Sequence, residues 1–139
     1  MQNLLKKHAE VIRFAIVGAA NTVIDFSILF LLVNLGLDKI PANYISTFVA
    51  FISSFFINKS YTFKSTGGNT KKQFGLFIVI TIIGLWVIQP IVILTISPAV
   101  ASLGFSSGIS LLASKLVATL ASMIWNYLLY SRIVFKKEK

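Results

Sequence analysis

Cysteine is absent from the 139-residue chain, which excludes disulfides, zinc–thiolate sites and thiol catalysis. Histidine occurs once, as His8, in a basic N-terminal segment. Acidic residues number only four. That leaves little for paired-carboxylate hydrolysis, and there is no glycine-rich phosphate loop, metal-ligand spacing or nucleophile–base pair. No catalytic residue, cofactor or metal is therefore expected, and the chain does not read as an enzyme. Charge of either sign is scarce, at 12% of residues. A soluble domain carries about a quarter. A small protein exposes much of its area, so an apolar exterior of this extent requires lipid as its solvent.

What the chain has is hydrophobicity, at 56% of residues, gathered into four stretches. The spans run over about 14–35, 42–63, 74–96 and 109–131. Crossing a hydrocarbon core takes roughly 20 helical residues. The second stretch is shorter in purely apolar residues, ending near Ile57, and Tyr61 and Phe63 continue it into the interface. The first has basic residues before it, as a signal peptide would. It is too long for one and holds Asn21 and Asp25, so it reads as a retained span. The expected fold is an all-α membrane protein of four transmembrane helices, with residues 1–139 as a single domain.

The connections differ in kind. Gly36 to Pro41 forms a tight turn, and Pro41 suits a helix start. Lys64 to Lys72 is a polar, glycine-containing loop, and Ser97-Pro98 through Gly108 reads as an uncharged one. The net charge of +9 would suggest nucleic acid in a soluble protein. Here it alternates with each crossing. Lys6, Lys7 and Arg13 precede the first span; Lys59, Lys64, Lys71 and Lys72 follow the second; Arg132, Lys136, Lys137 and Lys139 follow the fourth. The positive-inside rule places both termini and the second loop in the cytoplasm, and no nucleic-acid partner is expected. The spans also carry marks of a parallel repeat of two helical hairpins. Ser54-x-x-x-Asn58 then Thr62-Phe63-Lys64 parallels Ser122-x-x-x-Asn126 then Val134-Phe135-Lys136, and Arg13-Phe14 parallels Gln73-Phe74.

Polar residues inside a span are costly and therefore informative. Asp25 lies about twelve residues, roughly 18 Å, into the first helix. Gly18, Asn21, Thr22 and Asp25 share a face at three- and four-residue steps. Lys115, Thr119, Ser122 and Asn126 mark the fourth helix, and Asn43, Thr47, Ala50, Ser54 and Asn58 the second. The small and hydroxyl residues fit close helix packing. Asp25 and Lys115 fit either a functional site or a structural ion pair, and Lys115 can also snorkel outward. Asn21, Thr22, Asp25, Ser54, Lys115 and Ser122 form the expected intramembrane polar face. Asn58, Lys59, Asn126 and Arg132 sit where a lipid phosphate would lie. Trp125, Tyr127, Tyr61 and Tyr130 fit an interfacial belt, Trp86 is expected to pack, and Gln89-Pro90 to kink the third helix.

Residues 13–25, Arg-Phe-Ala-Ile-Val-Gly-Ala-Ala-Asn-Thr-Val-Ile-Asp, resemble the opening helix of the GtrA-like family. Phe-Phe-Ile-Asn-Lys-Ser-Tyr-Thr-Phe at 55–63 is similar to that family's Asn-Arg/Lys-x-x-Thr-Phe signature, and Asn126 through Arg132 to Val134-Phe135 to its C-terminal one. Lys59 stands where Arg is frequent, which keeps the charge and loses the bidentate fork. The resemblance covers nearly the whole chain. It implies translocation of a polyprenyl-phosphate-linked sugar across the bacterial cytoplasmic membrane, for glycosylation of cell-surface polysaccharide, teichoic acid or another cell-wall polymer. Its implied partners are that lipid, membrane lipid and a membrane glycosyltransferase. Four helices are few to enclose a path, so a homo-oligomer is expected. Two alternatives remain: a small multidrug-type proton-coupled transporter, which would need Asp25, and a non-transporting adaptor for a glycosyltransferase.

Overall fold

The computed structural model describes residues 2–136, with side chains from Lys7 onward. The expected basic residues Lys137 and Lys139, and the Lys6 side chain, lie outside the described residues. Among the described residues there are five α-helices: α1 (Gln2–Asn34), α2 (Lys39–Ile57), α3 (Thr70–Ile83), α4 (Gln89–Ala101) and α5 (Ser107–Leu129). Three single π-helical turns extend or join them, at Asn58–Thr62, Gly84–Ile88 and Tyr130–Val134. The four continuous helical runs long and apolar enough to cross a membrane are Lys7–Asn34, Lys39–Thr62, Thr70–Ala101 and Ser107–Val134.

The runs are longer than the sequence suggests, and lipid is the reason. Ser97 and Pro98 were expected in a loop, but α4 continues through them to Ala101. With no water to satisfy open backbone groups, a helix that forfeits one bond at a proline is better than a loop. The connection shrinks to five residues, 102–106. Ser106 closes it as the N-cap of α5, its hydroxyl accepting from Ile109 N at 3.4 Å. Pro90, where a kink was expected, is the second residue of α4, and the widened turn Gly84–Ile88 runs directly into that helix.

The chain forms two compact units, residues 2–67 and 68–136 among those described. The first is the hairpin of α1 and α2. Gly36, at φ +94°, ends α1 in a left-handed cap. Gly36 N donates to Val33 O and Leu37 N to Leu32 O, both at 3.0 Å, the paired bonds of a Schellman motif. Val17, Ala42, Ser46 and Ala50 are buried in this unit. Such small residues let helix backbones approach closely in lipid, where the hydrophobic effect does not drive association.

In the second unit α5 buries the line Ser110, Ser114, Ala118 and Ser122. Asn69 caps α3, its side chain accepting from Lys71 N at 3.0 Å and Lys72 N at 3.2 Å. Asn69→Ala should cost about 1 kcal/mol. The check is thermal unfolding in detergent together with faster amide exchange confined to residues 70–73. Trp86, expected to pack, is 75% exposed on the flank of the widened turn.

The buried positions of α2 and its π-turn recur at the same spacings in α5 and its π-turn. Ala42, Ser46, Ala50, Phe55, Asn58, Thr62 and Phe63 are matched by Ser114, Ala118, Ser122, Tyr127, Tyr130, Val134 and Phe135. Phe63 N donates to Asn58 O at 2.9 Å, and Phe135 N to Tyr130 O at 2.8 Å. Within its unit, Tyr130 therefore takes the place of Asn58. Asn126, which the sequence pattern paired with Asn58, lies one helical turn deeper.

Candidate functional site

The polar residues that meet in the first unit lie along the seam between α1 and α2. On α1 they fall at four-residue steps, Arg13, Asn21 and Asp25, with the buried Val17 completing the row. That spacing keeps them on one side of the helix. At one end of the seam, Arg13 reaches the π-turn. Its Nε and Nη2 donate to the Thr62 carbonyl at 3.3 and 3.2 Å. Beside it the rings of Phe14 and Phe63 lie 6.2 Å apart. At the other end Thr47 donates its hydroxyl to Asp25 at 3.4 Å.

The π-turn is closed by a second wide bond, from Ser65 N to Lys59 O at 2.8 Å, across Lys64 at φ +50°. A non-glycine residue in the left-handed region costs about 1–2 kcal/mol. The geometry holds the Lys64 side chain, with Lys59, at the same end as the Arg13 guanidinium.

Between the two ends the seam is short of donors. Asn58, 2% exposed, spends its amide N–H groups on Ser54, reaching the carbonyl at 2.9 Å and the hydroxyl at 3.2 Å. Its Oδ1, the Oγ1 of the fully buried Thr62 and the Oδ1 of Asn21 are buried without a hydrogen-bond partner among the described residues. An unmet buried polar group costs about 1–3 kcal/mol. Three along one seam are acceptors that a hydroxyl or N–H donor reaching them would satisfy. The guanidinium, with three of its five donors left after Thr62, suits an anion at the seam's end.

The second unit fills the corresponding place. Tyr130 bonds the Thr81 hydroxyl, which itself donates to Phe77 O at 2.6 Å. The Tyr130 ring stacks on Phe77 at 4.7 Å. Deeper, Trp125 Nε1 donates to Ile80 O at 3.2 Å and Gln89 Nε2 to Ser122 Oγ at 3.0 Å. Asn126 turns its Oδ1 to the bare Cα of Gly84, where a Cβ would come within 3.0 Å of it.

The anticipated site residues thus divide. Asn21, Asp25, Ser54 and Asn58 come together along the first seam. Thr22 turns outward and donates to Gly18 O at 3.2 Å. On the polar stripe of α2, Asn43 and Thr47 are exposed, Thr47 reaching Asp25 from the rim, and Ala50 is buried in line with Ala42 and Ser46. In the second unit Ser122 is buried and Asn126 half-buried, whereas Lys115, Thr119 and Arg132 are exposed. Lys115 thus stands off the buried line of α5. Arg13 and Thr62, the two ends of one contact, were not among the expected site residues. The four-residue step from Arg13 to Asn21 and Asp25 was the available signal.

Helices of this length and apolarity, with exteriors this exposed, define a multi-pass membrane protein. The chain belongs to the GtrA/DPMS transmembrane domain family, whose model matches residues 13–135. The match opens on Arg13 and closes on Phe135, the first polar residue of the α1 row and the residue that ends the last π-turn. The chain is also similar to the uncharacterized membrane protein YngA of Bacillus subtilis strain 168. The two are 31% identical over 116 residues, covering 84% of this chain and 72% of that protein.

Proposed function

We propose that the protein translocates a polyprenyl-phosphate-linked sugar across the bacterial cytoplasmic membrane, supplying glycosylation of a cell-surface polysaccharide or teichoic acid. The supporting observation is the first unit's seam. It has a guanidinium at one end and three unmet buried polar oxygens leading away from it. A lipid phosphate fits the cation, and sugar hydroxyls fit the oxygens.

On this reading both termini and the 64–72 loop face the cytoplasm. Asn58, Lys59, Asn126 and Arg132 border the headgroup's entry, and Lys115 serves nearer the opposite face. No bond is made or broken, so the protein is not an enzyme. The two units act as a parallel repeat, and the working form is a homo-oligomer that takes its substrate from a membrane glycosyltransferase.

The test is inversion of a labelled polyprenyl-phosphate sugar in liposomes reconstituted with the purified protein. Acceleration over empty liposomes is expected, with a loss of about tenfold in Asn58→Leu. Folded protein that gives no acceleration removes autonomous translocation. If it copurifies with a glycosyltransferase, the adaptor role replaces it.

A further inference from the structure

Asp25, half-buried, ends the polar row of α1. It stands twelve residues, roughly 18 Å, beyond Arg13, near the middle of a hydrocarbon core about 30 Å thick. The Thr47 hydroxyl reaches it from α2, which sets its carboxylate on the seam between the two helices. Among the described residues no lysine, arginine or histidine pairs with it. One helical turn nearer Arg13, the Asn21 Oδ1 is buried without a hydrogen-bond partner, as are the Asn58 Oδ1 and the Thr62 Oγ1. Asn58 is 2% exposed and Thr62 fully buried. The two amide oxygens can only accept.

A carboxylate at that depth is costly unless a cation meets it. The unit supplies none there, so the cargo is the remaining source. Donor counts say which cargo. An alkylammonium carries three N–H donors and no acceptor, which suits a carboxylate followed by an unmet amide oxygen. An N-acetyl group brings one donor and a carbonyl that needs a donor in return. Among the described residues the buried unmet atoms of the seam include no nitrogen to give it one. We propose that Asp25 selects a lipid-linked sugar that bears a free amine, the ammonium crossing mid-bilayer against the Asp25 carboxylate and the Asn21 amide oxygen. A single amino sugar is shorter than the distance from Arg13 to Asp25, so the two charges of the headgroup are met in turn. Arg13 holds the phosphate at entry, and Asp25 takes the ammonium once the headgroup has moved inward. Asp25 therefore acts on the crossing rather than on capture. The lipid's identity rests on the translocation reading; the carboxylate without a cation does not.

The experiment compares two labelled lipids in liposomes reconstituted with the full-length protein, a polyprenyl-phosphate amino sugar and its N-acetyl derivative. The amino form is expected to invert about tenfold faster, the effect of one charge-assisted hydrogen bond in a transition state. Half-saturating concentrations should stay alike, since Arg13 receives the same phosphate. The preference should vanish in Asp25→Asn and persist in Asp25→Glu. Equal rates in the wild type, or a preference that survives in Asp25→Asn, overturn the proposal and leave translocation standing. A membrane-soluble carbodiimide, which joins a carboxylate directly to an amine, gives a reading that needs no inversion. The amino lipid should become attached to the peptide that holds Asp25, and free galactosamine in the buffer should not. No attachment of the lipid, or equal attachment of the free amine, overturns the proposal. Attachment of the lipid in a protein that inverts neither lipid would sink translocation while the assignment of Asp25 stands.

Discussion

Replacing Arg13 with methionine is expected to slow lipid inversion about a hundredfold while leaving helix content unchanged. The side chain makes two N–H bonds to the Thr62 carbonyl, a long-range tie from α1 to the π-turn. A phosphate held by the donors left after Thr62 would make charge-assisted bonds of about 1.5–3 kcal/mol each, and about 3 kcal/mol lost from a transition state is roughly two orders of magnitude in rate. Arg13→Lys retains the charge and one donor direction but loses the fork, so it should fall between, near tenfold. A residue that merely pins the turn would behave differently. Both variants would then lower thermal stability in proportion to their loss of rate, and apparent affinity for the lipid would not move. If Arg13 receives the phosphate, the half-saturating lipid concentration rises in both variants, and the stability of Arg13→Lys stays close to that of the parent. Wild-type inversion by Arg13→Met would remove Arg13 from the site altogether.

The reasoning that finds the spans is also what mislocates their ends. Runs of apolar residues bounded by lysines identify four crossings because no other composition survives in hydrocarbon. Proline and glycine punctuate soluble chains reliably, and Pro98 fails as a stop signal here because open backbone is costlier in lipid than a helix that forfeits one bond. The polar stripe of α2 divides. Ala50 and Asn58 are buried and Asn43 and Thr47 exposed, so that the buried line is Ala42, Ser46 and Ala50. In a membrane, closeness of approach selects the buried line more strongly than polarity does. Lys115 and Thr119 are exposed on the same logic, beside the buried Ser114 and Ala118. What polarity does mark correctly is the set without a packing alternative: Asn21, Asp25 and Asn58 are too large and too polar to be spacers, and all three lie on the seam. The π-turns have no sequence signature. By the spacing of buried positions it is Tyr130, not Asn126, that stands where Asn58 does.

That exchange puts a packed ring in the second unit where the first has an amide, and the ring's contribution can be measured. Tyr130→Ala is expected to destabilise the protein by about 3 kcal/mol. The ring is 3% exposed and stacks on Phe77 at 4.7 Å, and Phe135 meets its edge at 6.1 Å. Removing a large buried aromatic costs about 3–5 kcal/mol in water-soluble cores. The lower end applies here because the unfolded reference is already in lipid, leaving mainly lost dispersion contacts and the cavity. Tyr130→Phe keeps the stack and gives up the bond to Thr81, whose hydroxyl still has Phe77 O. About 0.6 kcal/mol is the expected cost, the average for side-chain hydrogen bonds in membranes. Reversible unfolding in mixed detergent micelles distinguishes the two. Equal losses would mean that the hydroxyl, not the ring, holds this end of the unit together. A large loss in Tyr130→Ala with little change in Tyr130→Phe would mark the second unit as the packed scaffold. Tyr130→Asn, which places in the second unit the residue found in the first, should then lower stability by nearly as much as alanine. An amide cannot replace the ring on Phe77, and it adds a buried oxygen with nothing to accept from.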